Sequence, residues 1–219
     1  MRLLVVASII VLSIAGCVSV NKKALDSKSM ASIRNQTVTY TTRKMPDFAA
    51  MTPGKAMFGL LGAAAMVGVG NKIIAGNEIP DPADAIAAAL LAELQHAHEA
   101  RPVTPPVTVM RSDDVKQTVA RVGEVARYVV DAQTVNWALT YFPLNFTHYR
   151  VLYTAKVRLI DVQTRAVVAE GFCKRVPESD AGAPTYDELL ANQAALLKGE
   201  LEAATRECVA TLKREMLVL

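Results

Sequence analysis

The sequence predicts an α+β domain, in which a mixed sheet ending in an antiparallel meander is packed by two to three helices. The first observation is an alternation of apolar and polar residues over 149–160, which is typical of a half-buried strand. The second is a strand-like segment on either side of it, at 126–141 and 166–174. The third is a helical apolar stripe in each of two segments, 81–99 and 185–212.

The chain before the first of these helices contains a strand and a segment of unusual composition. Residues 36–42 are rich in Thr and Val and predict the first strand. A Gly- and Ala-rich insert follows at about 54–77, and its glycines weaken an isolated helix by up to about 1 kcal/mol each. Its uncharged stretch, 56–70, either packs over the domain's own sheet or contacts a membrane or another subunit.

A helix follows the insert, because Asp81 suits the N-cap and Pro82 suits the first helical position. The apolar repeat predicts that this helix ends near Glu99. A short strand at 107–110 and a second, shorter helix at 113–122 come next. Both precede the three strands of the meander.

The strand at 149–160 has the cleanest alternation in the chain. One side is apolar and is predicted to lie in the core, whereas the other is polar and is predicted to face water. The apolar side consists of Tyr149, Val151, Tyr153, Ala155, Val157 and Leu159, and the polar side of Arg150, Thr154, Lys156 and Arg158.

The last helix is predicted to begin at a capping box formed by Thr185 and Glu188. Its apolar stripe keeps spacings of three and four residues from Leu190 to Leu212. This regularity predicts one uninterrupted helix with its apolar face in the core.

Aromatic residues concentrate around the connection between the two longest strands. Six of the twelve Phe, Trp and Tyr residues lie within 137–153. Aromatic side chains near a connection are hard to bury, and exposed ones often mark a partner site. The candidate partner-binding residues are Tyr141, Phe142, Leu144 and Phe146. The alternative is a hairpin that packs only on its own domain.

No catalytic or cofactor motif is legible in the sequence. Gly54-Lys55 lacks the other residues of a phosphate-binding loop. His96 and His98 are two apart on a helix and do not share a face, and no third metal ligand accompanies them. Charges of both signs are dispersed around a net charge of +3, which disfavours a nucleic-acid surface. We therefore expect no enzyme, no cofactor, no metal and no nucleic-acid partner.

The N-terminus has the layout of a secretory signal, because Arg2, an apolar run over 3–14 and two small residues precede Cys17. The apolar run is shorter than the roughly 20 residues of a membrane-spanning helix. This segment resembles the lipobox of bacterial lipoproteins. The resemblance implies that residues 1–16 are a signal peptide and that Cys17 is lipidated, so that the protein is bound to a membrane through its N-terminal lipid.

The lipobox also implies a location. In Gram-negative lipoproteins an Asp after the cysteine usually marks retention in the inner membrane, and here Val18 and Ser19 follow. We therefore expect a lipid anchor in the outer membrane, with the protein facing the periplasm. Residues 17–33 are predicted to be the lipidated cysteine and a flexible tether, about 50 Å long when stretched. Residues 34–219 are predicted to form a single α+β periplasmic domain.

Two cysteines lie in the predicted domain. The periplasm is oxidising, and an even pair of cysteines there favours a disulfide between Cys173 and Cys208. Cys173 lies in the inward row of the last strand and Cys208 on the apolar stripe of the last helix. Both therefore face the same interior, and the alternative is two buried free thiols.

The whole chain after the signal is similar to uncharacterised proteobacterial outer-membrane lipoproteins. More loosely, its order of elements resembles the curli-secretion channel lipoprotein, the lipoprotein activator of penicillin-binding proteins and the N-terminal domain of the Tol β-propeller protein. The resemblance implies a non-enzymatic interaction or assembly module of the cell envelope, with an envelope protein partner or a homo-oligomer. The alternative is a lipid- or hydrophobic-ligand-handling module with 56–70 as a lid. The resembling stretches are residues 79–83, 136–138, 148–151 and 186–190.

Overall fold

The computed structural model describes residues 21–52, 59–105 and 109–219. The helices are α1 (Ser27–Ile33), α2 (Gly59–Gly76), α3 (Pro82–His98), α4 (Val115–Val122) and α5 (Tyr186–Leu212), and a π-helical turn, Lys213–Leu217, follows α5. The strands are β1 (Thr37–Tyr40), β2 (Thr42–Arg43), β3 (Ala49–Ala50), β4 (Arg101–Pro102), β5 (Val109–Met110), β6 (Tyr128–Phe142), β7 (Asn145–Asp161) and β8 (Ala166–Arg175).

The main sheet has the order β4-β1-β6-β7-β8, and β3 also pairs with β6. The pairs that involve β1 and β3 are parallel, whereas β6, β7 and β8 form an antiparallel meander. Strands β2 and β5 form a small parallel sheet of their own. The predicted α+β class and the mixed sheet are confirmed. The described residues contain five α-helices rather than two to three, because α1 and α2 lie in segments predicted to be tether and insert.

The main core lies between the sheet and the helices α3 and α5. Its largest side chains include Trp137, Tyr149 and Tyr153, each at most 1% exposed. Asp81 caps α3 by accepting a hydrogen bond from the backbone N–H of Ala83, as its position before Pro82 predicts. Tyr149 and Tyr153 belong to the apolar side of β7, so this side of the strand faces the core.

The polar side of β7 was predicted to face water, but two of its charged side chains are buried in the structure. Lys156 is 3% exposed and Arg158 is 5% exposed. The segment that precedes α4 covers this face, since Lys156 Nζ donates to Asp113 Oδ2 and Arg158 Nη1 donates to the backbone carbonyl of Asp113. Alternation shows that two faces differ, but it does not show whether other parts of the chain cover the polar one.

The described part of the insert forms α2 and packs on the edge strand β3. Asn71 Oδ1 accepts a hydrogen bond from the backbone N–H of Phe48 at 2.9 Å. A Cβ atom at Gly70 would overlap the backbone carbonyl group of Phe48, lying 2.7 Å from its carbon atom, so only glycine permits this approach. The residues 53–58 lie outside the described part of the chain.

Much of the segment predicted to be a flexible tether belongs to the fold. Lys23 forms two backbone hydrogen bonds with Glu170 of β8, each 2.8 Å long. Leu25 is 2% exposed, and its N–H donates to the carbonyl of Met216 at 2.8 Å. Helix α1 follows, with Ile33 fully buried. The described fold therefore includes Asn21 onward, because widely spaced apolar residues anchor a segment that lacks hydrophobic periodicity.

The last helix begins at the predicted capping box, with Thr185 and Glu188 each bonding the other's backbone N–H. It is not continuous, however. Residues 192–194 have positive φ angles of 52°, 57° and 57°. A left-handed conformation costs about 1–2 kcal/mol for each non-glycine residue. Leu189 and Leu197 are both fully buried on either side of this interruption, which explains why the apolar spacing did not reveal it.

Candidate functional site

The exposed apolar part of the described molecule that best suits a partner is the tip of the β6–β7 hairpin. The two strands pair from Tyr128 opposite Asp161 to Phe142 opposite Asn145. At the tip, Leu144 is 98% exposed and Phe146 is 63% exposed. Large apolar side chains presented together on a rigid hairpin are typical of a contact surface.

The other two predicted partner-binding residues lie below this tip. The ring of Tyr141 contacts that of Phe146 edge-on, with a centroid distance of 5.0 Å. Phe142 is only 4% exposed, and the guanidinium of Arg150 lies 5.1 Å from the centre of its ring. Tyr141 therefore supports the exposed ring, whereas Phe142 is part of the interior. We call Leu144 and Phe146 the apolar tip.

A loop after β8 holds the hairpin in place. Asn145 Nδ2 donates to Asp180 Oδ2 at 2.9 Å, and the N–H of Tyr149 donates to the carbonyl of Pro184 at 2.8 Å. The loop spans residues 176–184 and contains no helix or strand. These contacts connect the apolar tip to the loop, and sequence patterns gave no indication of them.

The Cys173–Cys208 disulfide is present in the structure. It joins β8 to α5, and both cysteines are 2% exposed, with their Cα atoms 5.2 Å apart. Cys17 and the predicted signal 1–16 lie outside the described residues, so lipidation stays a prediction.

A buried ion network lies on the face of the sheet opposite α3 and α5. Arg43 donates to both carboxylate oxygens of Asp131 at 2.7 and 2.8 Å, and Arg158 Nη2 donates to Asp131 Oδ2 at 2.6 Å. Burial raises the pKa of Asp131, but the hydrogen bonds from Arg43 and the charges of Arg43 and Arg158 outweigh it and hold the pKa below its usual range.

Asp113 extends this network to the surface. Its carboxylate lies 2.5 Å from Lys156 Nζ and 3.1 Å from Arg158 Nη2. The neighbouring Asp114 caps α4 by accepting from the N–H of Lys116 at 2.8 Å. The two adjacent carboxylates therefore have different structural roles. The network attaches the segment that precedes α4 to the central strands β6 and β7.

A cavity of about 550 Å³ lies between the start of α3 and the middle of α5. Ile79, Pro82 and Leu201 contribute apolar surface to it. Asp81 lies in its wall and accepts a hydrogen bond from Thr134 Oγ1. Burial, with the nearby charge of Asp81, raises the pKa of Asp84 to about 6. Apart from the Asp81 helix cap, nothing in the sequence predicts this cavity.

Two classes of site are absent from the described parts of the chain. Residues 21–52, 59–105 and 109–219 contain no group of three His, Cys, Asp or Glu side chains arranged to hold a metal ion. Within the same ranges, no helix has the length and apolar character needed to span a bilayer.

The chain is similar in structure to several solved proteins at low identity. The PelC dodecamer from Paraburkholderia phytofirmans shares 13% identity, with 91% of this chain and 97% of that chain covered and a TM-score of 0.40. Lipoprotein GNA1162 from Neisseria meningitidis shares 14%, with coverages of 80% and 97% and a TM-score of 0.33.

The LpoB C-terminal domain from Salmonella enterica shares 10% identity, with 66% of this chain and 84% of that chain covered and a TM-score of 0.30. These neighbours, LpoB and lipoprotein GNA1162 among them, match the lipoprotein group that the sequence resembles. No family model and no curated protein matches the sequence.

Proposed function

We propose that this protein is a non-enzymatic, membrane-anchored lipoprotein that acts as an interaction or assembly module in the cell envelope. The observation that carries the proposal is the apolar tip, where Leu144 is 98% exposed and Phe146 is 63% exposed. Exposing two large apolar side chains side by side has no benefit for the fold, whereas burying them against a partner is favourable. The partner is an envelope protein or a second copy of this chain.

The rigidity of the hairpin supports the same proposal. Strand β6 has 15 residues and β7 has 17, and Tyr141 packs behind Phe146. A surface held in one conformation loses little entropy on binding. The apolar tip is therefore suited to a specific contact.

Photo-crosslinking in intact cells tests this function. A photoreactive amino acid at Leu144 or Phe146 should give a discrete adduct, whose mass distinguishes a dimer of this chain from a complex with another protein. Gln163 provides the matched control, because it is exposed in the turn at the opposite end of β7. Adducts that are absent at both tip positions, or equally strong from Gln163, contradict the proposal.

The membrane anchor is proposed from the lipobox at Cys17 and has its own test. Metabolic labelling with an alkynyl fatty acid should label the wild-type protein, and Cys17→Ala should abolish the label and release the protein from the membrane fraction. Separation of inner and outer membranes then tests the proposed location on the periplasmic face of the outer membrane. A labelled Cys17→Ala variant would refute the anchor.

A second candidate function, the handling of a lipid or other hydrophobic ligand, is favoured by the cavity of about 550 Å³. This volume is typical of small-molecule sites. None of its lining residues belongs to 56–70, so the described part of that stretch is not its lid. Native mass spectrometry of protein released from membranes should show a bound ligand that Leu201→Trp displaces, and protein without adduct argues against this candidate.

A further inference from the structure

The cavity between α3 and α5 combines an apolar surface with an excess of acidic groups. Ile79, Pro82 and Leu201 line it on the apolar side. Two of its acids, Asp81 and Asp84, are withdrawn from water, whereas the other two are exposed. The charged residues of the lining are Glu78, Asp81, Asp84, Glu202 and Lys198.

Asp81 is 7% exposed, and the fold uses only one of its carboxylate oxygens. Oδ1 accepts a hydrogen bond from the backbone N–H of Ala83 at 2.9 Å and another from Thr134 Oγ1. Oδ2 accepts none from the described residues, yet it is not among the unpaired side-chain atoms that are closed to solvent. Because Asp81 lines the cavity, Oδ2 is an unused acceptor that a ligand in this space can reach.

No cation of the described chain neutralises these two buried acids. The ion pair that joins α3 to α5 is that of Lys213 with Glu93 at 2.7 Å, and neither Asp81 nor Asp84 takes part in any other. Lys198 lines the cavity without forming an ion pair among the described residues. Burial raises the pKa of Asp81, and burial with the charge of Asp81 raises the pKa of Asp84 to about 6. A cation held between the two carboxylates would offset this cost.

We propose that this cavity binds a primary ammonium ion that carries an apolar chain. The ammonium group donates to Asp81 Oδ2 beside Asp84, and the chain packs on Ile79, Pro82 and Leu201. Hydrogen bonds between an ammonium and a carboxylate are roughly twice as strong as those between neutral groups. A volume of about 550 Å³ is typical of small-molecule sites. The inference rests on the second candidate function and is independent of the apolar tip.

A metal ion suits these carboxylates less well than an ammonium group does. The described ranges of the chain hold no cluster of three His, Cys, Asp or Glu side chains that could coordinate a metal. Metal ions such as Ca²⁺ require about six or more oxygen ligands, whereas an ammonium group needs only an acceptor for each N–H that it turns to the protein. The apolar surface beside Asp81 also has a role only if the ligand has an apolar part.

Calorimetric titration of the purified full chain with n-octylammonium chloride at pH 8 tests the site, and n-octanol is the matched uncharged probe. Octylammonium should occupy one saturable site, and octanol should bind about tenfold more weakly or worse. Asp81→Asn should weaken octylammonium binding about tenfold, because asparagine keeps the N-cap and removes the charge. Glu178→Gln should bind as wild type does, since Glu178 is exposed in the 176–184 loop.

Asp84→Asn provides a second variant if Asp81→Asn does not reach the wild-type melting temperature. It should weaken octylammonium several-fold and leave octanol unchanged. Equal affinities for octylammonium and octanol overturn the proposal, but they leave the cavity as a site for neutral apolar ligands, so that the second candidate function stands. Binding of neither probe overturns the proposal and that candidate together, and the interaction function keeps its own test in the crosslink.

A free alkylamine and a lipid with an amine headgroup share this chemistry, and a competition experiment distinguishes them. Dihexanoylphosphatidylethanolamine, below its micelle concentration, is added to the octylammonium complex of the wild-type chain. Displacement supports the site and assigns it to a lipid headgroup, whose phosphate would lie within reach of the unpaired Lys198. Octylammonium that stays bound supports the site and assigns it to a free amine.

Discussion

At the scale of single residues, the charged side chains have roles that their sequence positions do not reveal. Asp131 is 2% exposed and is bonded by two arginines from different elements, Arg43 of β2 and Arg158 of β7. A buried ion pair is weak evidence of net stability, but breaking one leaves a charge without compensation. Removing one member of the network is therefore expected to destabilise the fold.

Asp131→Asn should lower the free energy of unfolding by about 3–5 kcal/mol, because it leaves the buried Arg43 and Arg158 with only the half-exposed Asp113 as a countercharge. Denaturant titration at pH 7 measures the change. Glu207→Gln is the control, since its pair with Arg175 is exposed on the Glu207 side and is worth about 1 kcal/mol or less. Equal losses in the two variants would show that the network does not behave as a buried unit.

Asp84 should make stability depend on pH in the opposite direction from most carboxylates. Its pKa is raised from 3.8 to about 6 in the fold, so the proton is held more tightly by the folded state. Stability from this group is fully present below pH 4 and is lost as the pH rises to about 6. Asp84→Asn should therefore be more stable than wild type above pH 6, by about 1 kcal/mol once solvent screening is included, and similar to it at pH 4.

Thermal melts between pH 4 and 8 measure this effect. Glu178→Gln is the matched control, because Glu178 is exposed and forms no ion pair among the described residues. A gain for Asp84→Asn that is the same at every pH would contradict the raised pKa.

At the scale of elements, β8 and the end of α5 are in close contact. A Cβ atom at Gly171 would lie 2.9 Å from the Cβ of Met216 in the π-helical turn after α5. The disulfide joins the same two elements a short distance away. Glycine is therefore required at this point of β8 by packing rather than by backbone conformation.

Two glycine substitutions should have opposite effects. Gly171→Ala should destabilise the protein by about 1–3 kcal/mol through overpacking against Met216. Gly199→Ala should stabilise it by about 0.5–1 kcal/mol, because Gly199 lies within α5 and a Cβ there has no neighbour within 4 Å. Denaturant midpoints of the two variants compare them directly, and a neutral Gly171→Ala would mean that the turn after α5 yields easily.

At the scale of the whole molecule, the sequence predicted those elements whose residues carry their own pattern. Strands β6–β8, the Asp81 cap and the Thr185–Glu188 capping box follow from alternation and from local hydrogen bonding. The short strands β3 and β4 have two residues each, too few for any periodicity. The interruption at 192–194 was hidden because core contacts on both sides keep the helical spacing.

The candidate site was predictable only in part, for a related reason. The concentration of aromatic residues predicted where the hairpin lies. It did not predict which side chains are exposed, since Leu144 is exposed whereas Phe142 is 4% exposed. The cavity depends on segments that are far apart in the chain, such as those of Asp84 and Lys198. No local sequence pattern indicates that two such distant segments lie side by side.

The disulfide should stabilise the whole domain, because it closes a loop of 35 residues between the sheet and the last helix. Chain entropy predicts about 3–4 kcal/mol for such a loop. The double variant Cys173→Ala/Cys208→Ala should show this loss in denaturant titration, and each single variant should show most of it. Two alkylatable thiols in the unreduced wild-type chain, detected by mass spectrometry, would rule the bridge out.

If the protein is anchored through Cys17 as proposed, the pairing of Lys23 with β8 would limit its distance from the membrane. Four residue steps separate Cys17 from Asn21, and Asn21 already donates to Glu170 at the sheet edge. A lipid on Cys17 would therefore hold that edge within about 14 Å of the bilayer, instead of the 50 Å that a free tether allows.

Glu170 lies opposite Arg158, about thirteen residues along β7 from Asn145, a strand length of about 43 Å. In the proposed anchored protein, the sheet rather than a flexible linker would therefore set the distance of the apolar tip from the membrane. With β7 perpendicular to the membrane, the apolar tip would contact a partner at one fixed distance from the membrane surface, because the tether is short and the sheet is rigid.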